Sequence, residues 1–277
     1  MNYIQKSQIR LKPNSPNSHK GQNGRLLLVG GSDNYVGAVI LAGMAAFSTG
    51  IDMVTIVAPE KVAWAINCQN PNFITPKFRG NHLTSRQIKE ITRLAQKNDA
   101  ILIGNGIGTK SSTNKLVNNL VALPTPKVID ADAIKATQIQ KISNAIITPH
   151  QTEYSILLKN SKLTDENMQQ HLRENVLLLK GRIDTIVTRT KRVYNRTGNQ
   201  GMTVGGTGDC LAGLCAGFVA KGYSLFDAAC YAAYLNGYAG DILFKLKGDA
   251  LLATDIVDIL PYILKKFYPN NKLFKVK

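Results

Sequence analysis

The sequence predicts an α/β fold in which a mostly parallel central sheet carries helices on both faces. Short apolar runs recur between Arg25 and Lys180, separated by stretches with helical spacing, and that alternation marks successive βα units. The runs are continuously apolar instead of alternating, as strands covered on both faces require. Past Lys180 the pattern changes to a hairpin and then to helices with no strand between them. The sheet therefore gains an antiparallel edge and ends under a helical layer.

Residues 1–22 hold Pro13, Pro16, Asn14, Asn17 and Ser18 and read as an irregular arm. Strands are expected at 25–30, 53–58, 100–104, 127–131, 145–148 and 176–180. Helices are expected between them at 37–49, 84–97, 111–121 and 152–159. Residues 185–190 and 193–196 form the hairpin, turning around Thr190-Lys191-Arg192. Three helices follow, at 208–221, 224–247 and 254–267. Ser224 with Asp227 three residues on resembles a capping box, and Gly248 is a helix stop. No linker or repeat interrupts the pattern, so residues 1–277 read as one domain.

Composition removes several classes. Hydrophobic residues make up 44% of the 277 and charged residues 19%, which suits a packed core and not a disordered chain. No apolar run approaches the roughly 20 residues needed to span a bilayer, and the first residues lack an apolar signal segment. The expectation is a cytoplasmic protein without a membrane partner. Cys68, Cys210, Cys215 and Cys230 show no paired spacing and read as buried hydrophobes, and the four histidines form no ligand cluster. The net charge of +16 invites a nucleic-acid reading. Arg86, Lys89, Arg93 and Lys97 make a basic stripe opposite Ile88, Ile91 and Leu94, and residues 180–196 hold a second basic cluster. Yet no nucleic-acid-binding signature accompanies them, and the basic residues are spread along the chain. They read as a solvated surface that also attracts small anions, not as a specific nucleic-acid groove.

The segment with the clearest chemistry is Gly201-Met202-Thr203-Val204-Gly205-Gly206-Thr207-Gly208-Asp209, which opens an apolar helix. Gly205, Gly206 and Gly208 allow close backbone approach, and successive amides at a helix N-terminus form an anion site. Asp209 would repel a phosphate there unless it had a task, and the useful task is general base toward an attacking hydroxyl. The plain alternative is a first-turn acid that stabilises the helix dipole. Two more glycine-rich turns, Gly30-Gly31-Ser32 and Gly104-Asn105-Gly106-Ile107-Gly108, follow strands, where α/β folds bind ligands. Asp130-Ala131-Asp132 and Thr148-Pro149-His150-Gln151-Thr152-Glu153 end two further strands. His150 and Glu153 can serve as a helix cap, or Glu153 can hold Mg²⁺ through water. Lys180-Gly181-Arg182-Ile183-Asp184 ends the next strand with cations that can meet phosphates.

The G-T-G-D turn at a helix start resembles that of ribokinase-like kinases. The ordered set is similar to the ADP-dependent NAD(P)H-hydrate dehydratase family, from Lys20-Gly21 through Gly30-Gly31-Ser32, Tyr35, Gly37-Ala38, Gly104–Gly108, Asp130–Ala133, Thr148–Glu153 and Lys180-Gly181 to Asp209. The resemblance runs from Lys20 to about Pro261. It implies a ribokinase-like three-layer fold and ADP-dependent dehydration of the S-form of hydrated NADH or NADPH. It implies that Ala38, Gly106 or Gly108, His150 and Asp209 contact that substrate, with Asp209 the catalytic base. It implies that Lys180, Gly181, Arg182, Ile183, Asp184 and the loop Gly205, Gly206, Thr207, Gly208 bind ADP or ATP. Glu153 would lie near Mg²⁺. A homo-oligomer, tetrameric as one form, and a separate epimerase are also implied. Val39 and Asn105 stand where the family usually has Pro, Gln200 replaces Pro, and Thr203-Val204 replaces Ala-Thr. Rival readings are another ribokinase-like kinase acting on a small alcohol and a basic nucleic-acid binder on an old kinase fold.

Overall fold

The computed structural model describes residues 1–269. β1 (Arg25–Val29) leads into α1 (Val36–Ser48), β2 (Met53–Pro59) into α2 (Glu60–Gln69), and β3 (Lys77–Phe78) into α3 (Ile88–Ala95). The alternation continues through β4 (Ala100–Ile103), α4 (Ser111–Val121), β5 (Lys127–Ile129), α5 (Asp132–Lys135), β6 (Ala145–Ile147), α6 (Gln151–Ser161) and α7 (Asp165–His171). β7 (Val176–Leu179), β8 (Asp184–Val187) and β9 (Arg192–Asn195) complete the strands, and α8 (Thr207–Ala220), α9 (Leu225–Lys247) and α10 (Ala253–Lys265) follow.

These strands form a nine-stranded sheet in the order β3-β2-β1-β4-β5-β6-β7-β8-β9. Pairing is parallel from β3 to β7 and antiparallel from β7 to β9. Leu28 pairs with Ile56 on one side and Leu102 on the other. The chain runs outward from β1 to β3 and then returns to lay β4 on the opposite side of β1. The carboxyl ends of β1 and β4 thus diverge at a topological switch point, where open α/β sheets bind ligands.

The strand residues divide between two cores. Leu26, Leu28, Ile56, Leu102 and Val128 face one core with α1, α2, α8, α9 and α10. Leu27, Val29, Ile101, Ile103 and Ile129 face the other with α3 to α7. Both faces are buried, which is why the runs do not alternate in sequence. α8 lies very close to α1. A Cβ on Gly213 would sit 2.0 Å from the Ala42 carbonyl oxygen, so no side chain larger than hydrogen fits that crossing.

Four elements lie outside the sequence expectation. β3 has two residues and α5 one turn, too short to show a period. α2 buries Val62, Ala63 and Ile66, and α7 buries Met168, so their apolar stripes are thin. The expected helix at 84–97 is a 3₁₀ turn at Ser85–Gln87, capped by Thr84, followed by the shorter α3. The expected arm is irregular, yet it is tied down. The Ile4 amide donates to the Tyr194 carbonyl at 2.8 Å, Tyr194 donates back to Asn2 at 3.0 Å, and Ile4, Ile9 and Leu11 are buried. The arm thereby covers the outer edge of β9.

Cys210, Cys215 and Cys230 are buried, whereas Cys68 is exposed on α2, against the expectation for all four. Arg86, Lys89, Arg93 and Lys97 are exposed on a solvated face. Among the described residues no helix is long and apolar enough to cross a membrane.

Candidate active site

The parallel strands end side by side, and each hands over a polar residue. β4 runs into Asn105, β5 into Asp130, β6 into Thr148 and His150, and β7 into Lys180. Beyond Ile147 and Leu179 the last two stay together, because the Lys180 amide donates to the Pro149 carbonyl at 2.8 Å and draws Lys180 alongside His150. α8 aims its first turn at the same place. Its cap, Gly206, has φ of +98°, a conformation that suits glycine, and this turns the chain from the 3₁₀ segment Gln200–Thr203 into the helix. Thr207 braces the turn by donating its hydroxyl to the Met202 carbonyl at 2.8 Å. The first amides of α8 have no partner within the helix and are free to meet an anion.

Asp209 sits in that first turn. Its Oδ1 accepts from Asn105 Nδ2 at 2.7 Å, and the same nitrogen donates to Asp130 Oδ2 at 2.9 Å. Asp130 Oδ1 accepts in turn from Thr148 Oγ1 at 2.7 Å and from Lys180 Nζ at 2.9 Å. Ala131, next to Asp130, is held at φ +51° and ψ −124°, a strained conformation for a residue with a Cβ. Asn105 and Asp130 are fully or almost fully buried. A polar chain thus runs from Asp209 through Asn105 and Asp130 to Lys180.

Burial pushes the Asp209 carboxyl up to about 7. Asp130 and Glu153 add to the rise, and the Asn105 hydrogen bond and Lys180 hold it back. Burial works against the Lys180 charge, but Asp130 first, then Glu153 and Asp209, outweigh it and hold the ammonium above its ordinary value. The result is a cation beside a carboxyl poised near neutrality, a combination suited to proton transfer next to an anion. A Cβ on Gly208 would stand 3.5 Å from Lys180 Nζ, so this cation adjoins the start of α8.

A cavity of about 160 Å³ opens there. Lys180, Gly181, Arg182, Asp184, Thr207 and Gly208 are among its lining residues. Gly205 is exposed and a Cβ added there would meet nothing within 4 Å, and neither it, Gly206 nor Ile183 lines this cavity. Asp184 is engaged within its own turn, accepting from the Gly181 amide and from Asn195 Nδ2, both at 3.0 Å. Gly106 lies against Ala38 and Tyr35 at the β1–β4 divergence, and the Gly108 amide donates to Asp132 at 3.0 Å.

His150 and Glu153 cap α6. His150 Nδ1 accepts from the Thr152 and Glu153 amides at 3.1 and 3.3 Å, and Glu153 Oε2 accepts from the His150 amide at 3.0 Å. His150 Nε2 lies 3.4 Å from Glu153 Oε1. Among the described residues no group of three His, Cys, Asp or Glu side chains stands ready to hold a metal.

Asn105, Asp130 and Asn236 belong to this site without having been assigned to it from sequence. Asn236 lines the cavity with a buried Oδ1 that has no partner. The Asp130 signal was present, a carboxylate at a strand's end. For Asn105 it was the polar residue inside a glycine-rich turn. Neither signal shows that the two meet Asp209, which is 104 positions from Asn105.

A family model described as NAD(P)H-hydrate dehydratase matches residues 26–262. A bifunctional NAD(P)H-hydrate repair enzyme of Methanothermobacter thermautotrophicus is 37% identical over 272 residues, covering 92% of this chain and 52% of the relative. An ADP-dependent (S)-NAD(P)H-hydrate dehydratase of Cenarchaeum symbiosum is 34% identical over 262 residues, covering 90% of this chain and 91% of the relative. The ADP/ATP-dependent NAD(P)H-hydrate dehydratase of Bacillus subtilis, crystallised with ATP and Mg²⁺, superposes with a TM-score of 0.78 at 27% identity, over 96% of this chain and 98% of that one. Ribokinase of Thermotoga maritima shares the fold alone, with a TM-score of 0.57 at 11% identity over 87% of this chain and 99% of that one. The chain spans about half the length of the bifunctional relatives.

Proposed function

The chain belongs to the NAD(P)H-hydrate dehydratase family, and on that premise we propose that it restores NADH or NADPH from the hydrated S-form, with ADP as phosphoryl donor. Hydration leaves a hydroxyl on the nicotinamide ring. Hydroxide departs poorly, so the oxygen must first be made a better leaving group. Asp209 removes the hydroxyl proton as the oxygen attacks the terminal phosphorus of ADP, the new O–P bond forms and AMP leaves. The ring nitrogen's lone pair then expels phosphate, and loss of a ring proton restores the double bond.

The observation that supports this most is the Asp209 carboxyl at about 7, beside the open start of α8 and Lys180. Near neutral pH such a group exists in both forms, as a general base must. The α8 amides and Lys180 offset charge on the phosphoryl group in transit. We assign the remaining roles in the proposal as follows. Lys180, Gly181, Arg182 and Thr207-Gly208 take the nucleotide in the cavity they line, with Asp184 bracing their turn. In this proposal Ala38, Gly106, Gly108 and His150 border the substrate as the family resemblance implies, Gly106 lying against Ala38 at the divergence of β1 and β4.

Mg²⁺ fits this site as an ion carried chiefly by nucleotide phosphates, because the described residues lack a three-ligand cluster of their own. Glu153, buried with its Oε1 3.4 Å from His150 Nε2, would hold it through water, and the ion would neutralise phosphate charge. We include in this reading one domain built on the single sheet, of which residues 270–277 lie outside the described part, and assembly into a homo-oligomer.

The test is to supply purified protein with ADP, Mg²⁺ and hydrated NADH. Recovery of reduced-nicotinamide absorbance together with AMP and phosphate supports the proposal. A phosphorylated product that accumulates without elimination would instead identify a small-molecule kinase.

A further inference from the structure

Asn105 sits at the centre of the polar chain. One nitrogen, Nδ2, donates to Asp209 and to Asp130, at 2.7 and 2.9 Å. The amide's two N–H bonds are both spent on carboxylates. Its Oδ1 is buried and has no partner. A flipped amide would turn that oxygen toward the Asp130 oxygen that Nδ2 now serves, which disfavours the flip. A purely structural asparagine would be expected to satisfy both ends, since an orphaned buried acceptor is unfavourable. Here the acceptor is left unpaired while both donors are engaged.

Resting on the dehydratase reading above, we propose that Asn105 is a positioning residue that clamps Asp209, holds one carboxylate oxygen back and leaves the other facing the substrate hydroxyl. The clamp is anchored through Asp130 to Lys180, so Asp209 cannot turn without breaking a buried network. It also sets the charge. The groups facing Asp209 are Asp130 at the end of β5, Lys180 at the end of β7 and Glu153 on α6, with Cys210 beside it on α8. Asp130 and Glu153 oppose ionisation and Lys180 favours it. Asn105 is a neutral donor that favours it without adding charge.

The experiment compares the wild type with Asn105→Leu, which removes the donor, and Asn105→Asp, which keeps the shape but replaces the donor with a carboxyl. The first readout is the titration of the Asp209 carboxyl carbon by NMR in the protein alone, assigned with Asp209→Asn. The second is the pH profile of kcat with the KM for ADP. Both variants are expected to move the Asp209 midpoint and the acid limb of kcat upward. At neutral pH kcat should fall about tenfold while the KM for ADP stays within about twofold, and alkaline pH should restore part of the loss. An unmoved midpoint and unmoved limb would overturn the inference. Should leucine prevent folding, the aspartate variant carries the same test. A wild type without dehydratase turnover would refute the proposed function, and the NMR titration would still decide whether Asn105 sets Asp209.

Discussion

In the proposed reaction Asp209 carries the proton transfer, and its titration would link activity to stability. If it is the base, turnover should rise with pH through about 7 as the carboxyl ionises. Asp209→Ala should remove that limb and lower turnover by about 10² to 10⁴ while ADP binding survives. A flat profile in the wild type would contradict the role. Stability should run the other way. In the unfolded chain the carboxyl ionises near 3.8, in the folded one near 7, so the folded state loses relative stability as pH rises between them. Below that window both states are protonated and the difference vanishes. Asp209→Asn cannot ionise, so at pH 8 it should be more stable than wild type by about 1–3 kcal/mol, allowing for the partial exposure of the group. Denaturation at pH 8 and pH 4 checks this, and a gain that persists at pH 4 would contradict it. Asp209 was legible in sequence because a carboxylate beside a phosphate-type turn is odd. Its partners were not, because a single sequence carries no signal joining Asn105 or Asp130 to a helix that begins at Thr207.

The start of α8 does at the level of an element what Asp209 does as a residue. Gly208 adjoins Lys180 without a clash, since an added Cβ would make ordinary contact at 3.5 Å and its φ is not positive. Gly208→Val should therefore fold, place a branched side chain beside Lys180 and weaken ADP binding at least tenfold, about 1.4 kcal/mol. Calorimetric titration with ADP reads this, and wild-type affinity in a folded variant would remove the phosphate role from this turn. The glycine spacing made this element legible. α6 is more ambiguous. The sequence left His150 and Glu153 open between capping and metal, and both side chains are bound into the α6 cap.

The whole molecule was legible where burial leaves a long trace. Strands covered on both faces wrote continuous apolar runs, and α8 to α10 each showed a long helical stretch. β3 and the docking of the arm on β9 left no such trace, because each depends on a few contacts with distant residues. The net charge of +16 acts at this scale as well. With the basic stripe on a solvated face, oligonucleotides should bind weakly and without sequence preference, with a Kd of about 10⁻⁴ to 10⁻⁶ M near physiological salt. Sequence-specific nanomolar binding would contradict that. The central claim is that the sheet ends, the α8 turn and Asp209 together dehydrate a hydrated nicotinamide by transient phosphorylation. The most direct measurement follows hydrated NADH, ADP and Mg²⁺ with the wild type, reading absorbance of the reduced nicotinamide against AMP and phosphate release. The account predicts that all three appear in equal amounts. AMP formation with no return of reduced nicotinamide, or no reaction with any hydrated form, would contradict it.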